Sequence, residues 1–286
     1  CLFSKSGGGS RPDKYLVADT HGGGGGKAGD GKAYSWEQDK AKLNPKDFIF
    51  RDLNGQVAVK EPGSINGQQF VIDTCEDCDI YVLDHCAMVT IDDCKNCRIF
   101  IGPTSSSIFI RDCSNVKLVG ACRQFRTRDC KDVEAMLYCS TRPVIETSKG
   151  HNFGCFDLNY HGLAEHMGKC SFSPFTNFFS HIHDFNPAKN LNWGFTPEGT
   201  DCLSFLAPVP DEIAQLECMR PGAPPAVLKT HGERPPPGGP FVFCLFPSSV
   251  PVAKVFEFAL EYSESTTLLR TNTVALEKSQ VEDIVQ

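Results

Sequence analysis

The chain has 286 residues, 41% of them hydrophobic and 22% charged, with a net charge of −7. That is enough for one large or two ordinary domains with a substantial core. The acidic balance argues against nucleic acid as the main partner, since phosphate binding needs a basic face. No apolar run is long enough to span a membrane, and no secretory core opens the chain. Fifteen cysteines without an export signal imply a reducing compartment with free thiols. Neither a Walker-type phosphate loop nor a paired-His zinc helix is present in the sequence.

In chain order, the first residue is Cys1 rather than Met, and Cys1-Leu2-Phe3-Ser4-Lys5-Ser6 suits a segment that follows Met-Gly. In that case Gly would carry myristate and Cys1 palmitate, and two acyl chains give a stable anchor where one does not. An ordinary terminus containing one Cys is the other reading. Residues 1–33, with Gly22 to Gly26 unbroken, form a flexible tether. Ser35 is expected to N-cap a short helix, with Trp36 docked on the body. Asn44-Pro45-Lys46-Asp47 reads as a turn. Phe48-Ile49-Phe50 and Gln56-Val57-Ala58-Val59 read as strands that enter the first repeat.

From Ile65 to Cys155 the chain repeats itself. Cys75, Cys94, Cys113 and Cys130 are spaced 19, 19 and 17 apart, each after Asp or Thr, and Cys78, Cys97, Val116 and Val133 follow three residues later. Short apolar runs come next: Ile80-Tyr81-Val82, Ile99-Phe100-Ile101 and Leu118-Val119. No unit has room for a helix beside its strands. The predicted fold is therefore mainly β, a right-handed parallel β-helix with one repeat per coil and the cysteines as a buried ladder. Cys75, Cys78, Cys94 and Cys97 also have zinc-site spacing. The repeat accounts for them better, because it continues through coils in which Val116 and Val133 replace the second cysteine.

Val144-Ile145-Glu146 and Phe153 to Phe156 are expected in a last coil, and the aromatic-rich residues 160–195 in a cap over the coil end. His181-Ile182-His183-Asp184 looks metal-like but reads as structural, and no metal is assigned. Residues 34–206 thus make one domain and the Pro-rich 207–240 a linker. Residues 241–286 have a different grammar: strand Phe241–Phe246, helix Val252–Tyr262, strand Thr266–Leu269 and helix Glu277–Val285. This makes a partial α/β segment.

Within Ala121-Cys122-Arg123-Gln124-Phe125-Arg126-Thr127-Arg128, strand alternation puts Gln124, Arg126 and Arg128 on one face and Arg123, Phe125 and Thr127 on the other. The cost of burying the first three puts them in solvent. A rigid face with exposed Arg and Gln suits an external anion. A merely solvated strand face is the plainer reading.

The repeat and Ala121-Cys122-Arg123-Gln124-Phe125-Arg126 resemble the domain shared by tubulin-binding cofactor C and the retinitis-pigmentosa-2 protein family, and are closer to the latter. The resemblance includes Cys1 to Lys5, Tyr34-Ser35-Trp36, Pro45-Lys46-Asp47, Gly67-Gln68-Gln69-Phe70, Phe153-Gly154-Cys155-Phe156, Ile182-His183-Asp184-Phe185 and Leu191-Asn192-Trp193. Beyond Phe241 the chain is similar to the start of that family's nucleoside-diphosphate-kinase-like domain, without a phosphoryl-accepting His motif. The resemblance implies a GTPase-activating protein for an Arf-like small GTPase in its GTP form, with no catalytic activity or cofactor of its own; GTP and magnesium belong to the partner. It implies that Arg126 is an arginine finger, that Gln124 helps orient the site, and that Arg123, Glu146 and Phe185 contact the GTPase. Arg123 stands where the family usually has a second Gln. The implied setting is lipidated-protein trafficking on the cytoplasmic face of the ciliary or plasma membrane, with acylation at Cys1. A tubulin-directed activator and a non-catalytic scaffold of cilium or axoneme are the alternatives.

Overall fold

The computed structural model describes residues 43–213, 216–218, 226–232, 251–265 and 267–273. The expected tether, the Ser35 cap, Trp36, the strand at 241–246 and the helix at 277–285 lie outside these. The chain divides into residues 1–49 and 50–286. In the first unit a 3-10 turn, Pro45–Phe48, starts where Asn44 Oδ1 accepts from Lys46 N at 3.2 Å and Pro45 presets φ. The strand expected from Phe48 begins one residue later, as β1 (Ile49–Arg51), because Phe48 closes this turn.

The second unit is a parallel β-helix. Its strands are β2 (Val57–Lys60), β3 (Phe70–Asp73), β4 (Asp79–Val82), β5 (Val89–Asp92), β6 (Arg98–Arg111), β7 (Ser114–Arg128), β8 (Lys131–Cys139), β9 (Val144–Glu146) and β10 (His151–Cys155). Every pairing among them is parallel and links equivalent positions one repeat apart. Ile80, Ile99, Leu118, Ala135 and Phe153 are in register on one face. Ile72, Ile91, Ile110, Thr127 and Ile145 are in register on another. These residues are buried, and each coil covers the apolar edge of the next.

The polar corners between the faces explain the repeated Asp, Thr and Asn. Thr74, Asp93, Asp112, Asp129 and Thr147 all hold φ between 47° and 54°, and Asp77, Asn96, Asn115 and Asp132 hold 52° to 55°. Asp and Asn tolerate this left-handed region better than other residues with a Cβ. Gly150 takes the next place in the second column at φ 73°. Asn96 Nδ2 donates to Asp77 Oδ1 (3.1 Å) and Asn115 Nδ2 to Asn96 Oδ1 (2.9 Å), a side-chain ladder along the outside.

The cysteines face inward beside these corners as free thiols. Each Sγ of Cys94, Cys113 and Cys130 lies 3.1–3.2 Å from a carbonyl two residues back, and Cys94 N donates to Cys113 Sγ at 3.3 Å. Ser148 continues the column, with its Oγ accepting from Cys130 N at 3.0 Å. Burial pushes the Cys97 thiol up to about 12, so it stays neutral. A third cysteine column, Cys86, Thr104, Cys122 and Cys139, forms a corner that the spacing of the first two does not reveal.

The runs such as Ile80-Tyr81-Val82 are buried on both sides. Tyr81, Phe100, Val119 and Met136 point away from the coil interior into an outer core with Phe156, Tyr160, Leu163, Met167, Phe205 and Leu206. The segment expected over the coil end therefore has two tasks. β12 (His183–Asp184) and β13 (Trp193–Phe195) extend the stack by pairing with β9 and β10. The strand β11 (Leu158–Asn159) and the helices α1 (Leu163–Lys169) and α2 (Cys202–Leu206) belong to the layer outside the other face, and β14 (Glu217–Cys218) pairs antiparallel with β11. Asp157, 1% exposed, ties this layer down: its carboxylate accepts from Cys202 N (2.8 Å) and from Lys229 Nζ (2.5 Å).

Further on, α3 (Val252–Ser265) matches the expected amphipathic helix. The strand expected at 266–269 does not form over its described residues, 267–269. Leu268 and Leu269 instead offer carbonyls to His231 N and Gly232 N, 3.0 Å each.

Candidate functional site

With one strand face covered by the outer layer, attention falls on the face built from β5, the end of β6, the end of β7, β9 and β12. Its outward positions run in two adjacent columns set by register. One holds Thr90, Phe109, Arg126, Val144 and His183. The other holds Asp92, Arg111, Arg128 and Glu146, with Phe185 next, its N–H bonded to Ile145 O at 2.9 Å. Phe125 and Thr127, between Gln124, Arg126 and Arg128, are fully buried, so the alternation places these three outward as expected.

Arg126 is held unlike Arg51, Arg98 and Arg111 on the strand faces. Arg111 grips Asp92 through two 2.6 Å bonds, and Arg98 grips Asp79 through two more. Arg51 Nε reaches Asp73 at 2.9 Å. Arg126 has only a loose ion pair to Glu146, at 3.6 Å, and its Nε is buried with no hydrogen-bond partner. Its guanidinium carbon lies 5.4 Å from the centre of the Phe109 ring. Arg126 and Glu146 keep 35% and 29% of their side-chain surface in solvent. A buried unpaired donor carries a cost that a ligand could remove.

The other expected residues gather around it, with one correction. Gln124 Oε1 accepts from Ser107 Oγ at 3.2 Å. Phe185 is 54% exposed, and its ring packs edge-on against His183 at 4.6 Å. Glu146 is the register partner of Arg128 and reaches Arg126 diagonally across the face. Arg123 does not share the inward side with Phe125 and Thr127. The β6–β7 register shifts between Ile101, Thr104 and Ser107, so alternation breaks at this corner. Arg123 is exposed there, and its Nε donates to Ser105 O at 3.0 Å. Cys1 lies outside the described residues.

Sequence reasoning missed Phe109, whose ring is also 5.2 Å from the Arg111 guanidinium and 5.8 Å from that of Arg128. The signal was available, since Phe109 lies one coil before Arg126. It also missed Asp84, His85 and His166, whose ligating atoms lie within 4.8 Å of one another. Burial alone would raise the Asp84 pKa. Backbone N–H groups of Asn66, Ile65 and His85, with the His85 ring, hold it below the ordinary carboxylate value. His166 Nδ1 is bonded to Tyr160 Oη at 2.7 Å. These bonds satisfy the cluster and fasten α1 to the coil. Of the four cysteines with zinc-site spacing, Cys75 stacks on Cys94 and Cys78 on Cys97, in two neighbouring columns. His183 packs on Phe185, while Asp184 accepts from Asn186 N and Asn192 Nδ2, both at 2.9 Å.

The face thus carries an outward, half-unsatisfied arginine flanked by Gln, Glu and Phe. Residues 67–185 match the family model described as "Tubulin binding cofactor C". The chain is 51% identical over 190 residues to Protein XRP2 of Danio rerio, covering 66% of this chain and 50% of the relative. It is 48% identical over 211 residues to Protein XRP2 of Gallus gallus (72% and 59%), and 50% identical over 190 residues to Protein XRP2 of Homo sapiens (66% and 53%). The chain belongs to the XRP2 family and carries its cofactor C domain; it spans about half the length of the curated relatives it matches.

Proposed function

We propose that this chain activates GTP hydrolysis by an Arf-like small GTPase, with Arg126 entering the partner's site as an arginine finger. The observation that carries the reading is the state of Arg126: outward, loosely paired to Glu146, and with a buried Nε that has no partner. A guanidinium fork in that state is free to bind the charge that develops on a transferring phosphoryl group. Such fingers supplied in trans are worth about 10³ to 10⁵ in rate. Gln124, one outward step along β7, is placed to hydrogen-bond the same site. Glu146 and Phe185 supply a carboxylate for a partner cation and an exposed aromatic anchor. Arg123, at the corner, adds charge at the rim. The chain does no covalent chemistry, and GTP and magnesium come with the partner.

The setting belongs to the same proposal. Acylation at Cys1 would hold the domain at the cytoplasmic face of the ciliary or plasma membrane, where the activator would act in the trafficking of lipidated proteins. Tubulin is a second candidate partner, since the matched family model is named for it; the same Arg126 would serve. The test is single-turnover GTP hydrolysis by Arf-like GTPases and by tubulin, with the wild-type chain and with Arg126→Ala. The reading expects a large acceleration that collapses in the variant while binding to the GTP-loaded partner persists. No acceleration of any of these GTPases would contradict it.

A further inference from the structure

We propose that Phe109 is the positioning residue for Arg126, an aromatic seat that aims the guanidinium outward; this rests on the arginine-finger reading. Three guanidinium carbons, those of Arg111, Arg126 and Arg128, lie 5.2, 5.4 and 5.8 Å from the centre of this one ring. All three are within reach of the ring quadrupole. The other holds on the three differ. Arg111 is fixed by two bonds to Asp92, and Arg128 lies 3.6 Å from the exposed Asp129. Arg126 has a single loose carboxylate contact and an unpaired Nε. Its orientation therefore depends on the ring more than that of Arg111 does.

The placement follows from register. Phe109 is the direct β6 neighbour of Arg126 in β7, on the same outward column. Flanking Ile108 and Ile110 are fully buried, so the strand that carries the ring is locked from beneath. A carboxylate in place of Phe109 would hold Arg126 more tightly but would also take up the fork that an incoming phosphoryl group needs. An aromatic face orients the cation without taking up the N–H donors at the end of the fork. Positioning of this kind acts on rate, since small misplacements of a catalytic group cost heavily.

The experiment compares the full chain with Phe109→Leu, Phe109→Trp and Arg126→Ala. The readouts are the saturated single-turnover rate of a GTP-loaded Arf-like GTPase and the affinity for it. Phe109→Leu is expected to lower the saturated rate about 10-fold or more with affinity within about twofold, and Phe109→Trp to restore it. A wild-type rate in Phe109→Leu, or equal loss in the Leu and Trp variants, would overturn the positioning role. Full activity in Arg126→Ala would instead overturn the finger reading, and the role with it. A third readout needs no GTPase. The Nε–H resonance of Arg126 is expected to carry a ring-current shift that disappears in Phe109→Leu, and an unchanged resonance would overturn the proposal on its own.

Discussion

Arg111 and Arg126 sit one coil apart on the same strand face, in adjacent columns, and are held in opposite ways. Arg111 is bonded side-on through Nε and Nη2 to Asp92, which is only 4% exposed. Arg126 meets Glu146 at 3.6 Å and keeps a buried Nε unpaired. The first arrangement completes the fold, because a buried carboxylate needs its partner. The second leaves capacity for something outside the fold. A repeat makes this contrast readable: when coils are equivalent, the one that departs from the common pairing marks the surface kept for function.

The sharpest break in the comparison is in activity. Arg126→Met is expected to remove an acceleration of about 10³ or more while leaving stability within about 0.5 kcal/mol, as for surface changes generally. A thermal melt beside the hydrolysis assay checks both halves. The reverse pattern is expected for Arg111→Met. It strands Asp92 without its fork and should cost about 3 kcal/mol in denaturant unfolding, with the saturated hydrolysis rate retained by the folded fraction.

A third test concerns the coil beneath Arg126. His151 is 1% exposed, bonded to Thr127 Oγ1 at 3.1 Å and to Lys149 O at 3.2 Å. Burial lowers its pKa from 6.5 to about 4. Because the folded pKa is depressed, its contribution is complete above pH 6.5 and is lost as pH falls toward 4. The loss should be roughly 3 kcal/mol across that window, and His151→Gln should flatten the profile. The smallest effect is expected at the corner. Burial, with Asp93 and Asp129 along the same column, raises the Asp112 pKa. The charged form therefore works against the fold. Asp112→Asn should raise Tm modestly at neutral pH, and the gain should vanish as pH falls through the raised pKa, where the wild-type acid is also neutral.

Much of this was legible in the sequence, for reasons that particular residues show. The coils could be read because Cys75, Cys94, Cys113 and Cys130 mark the same corner each time, after Asp or Thr in the left-handed region. Gln124, Arg126 and Arg128 could be placed outward because Phe125 and Thr127 alternate with them into the interior. Arg123 was misplaced where the register shifts, since alternation holds only along a regular strand. Residues 160–195 were expected over the coil end alone, yet Ile80-Tyr81-Val82 is apolar at every position, and such a run belongs to a strand buried on both sides, here under the outer layer. The Arg126–Glu146 and Arg126–Phe109 contacts needed register between coils, which spacing fixes only after the corners are aligned.

The most direct test is a single hydrolysis assay with Arg126→Met and Arg111→Met side by side, each at saturating concentration against one GTP-loaded Arf-like GTPase. The account predicts that the first loses nearly all acceleration and the second keeps it. Equal loss in both, or retention by Arg126→Met, would contradict the claim that the loosely held arginine is the one that acts.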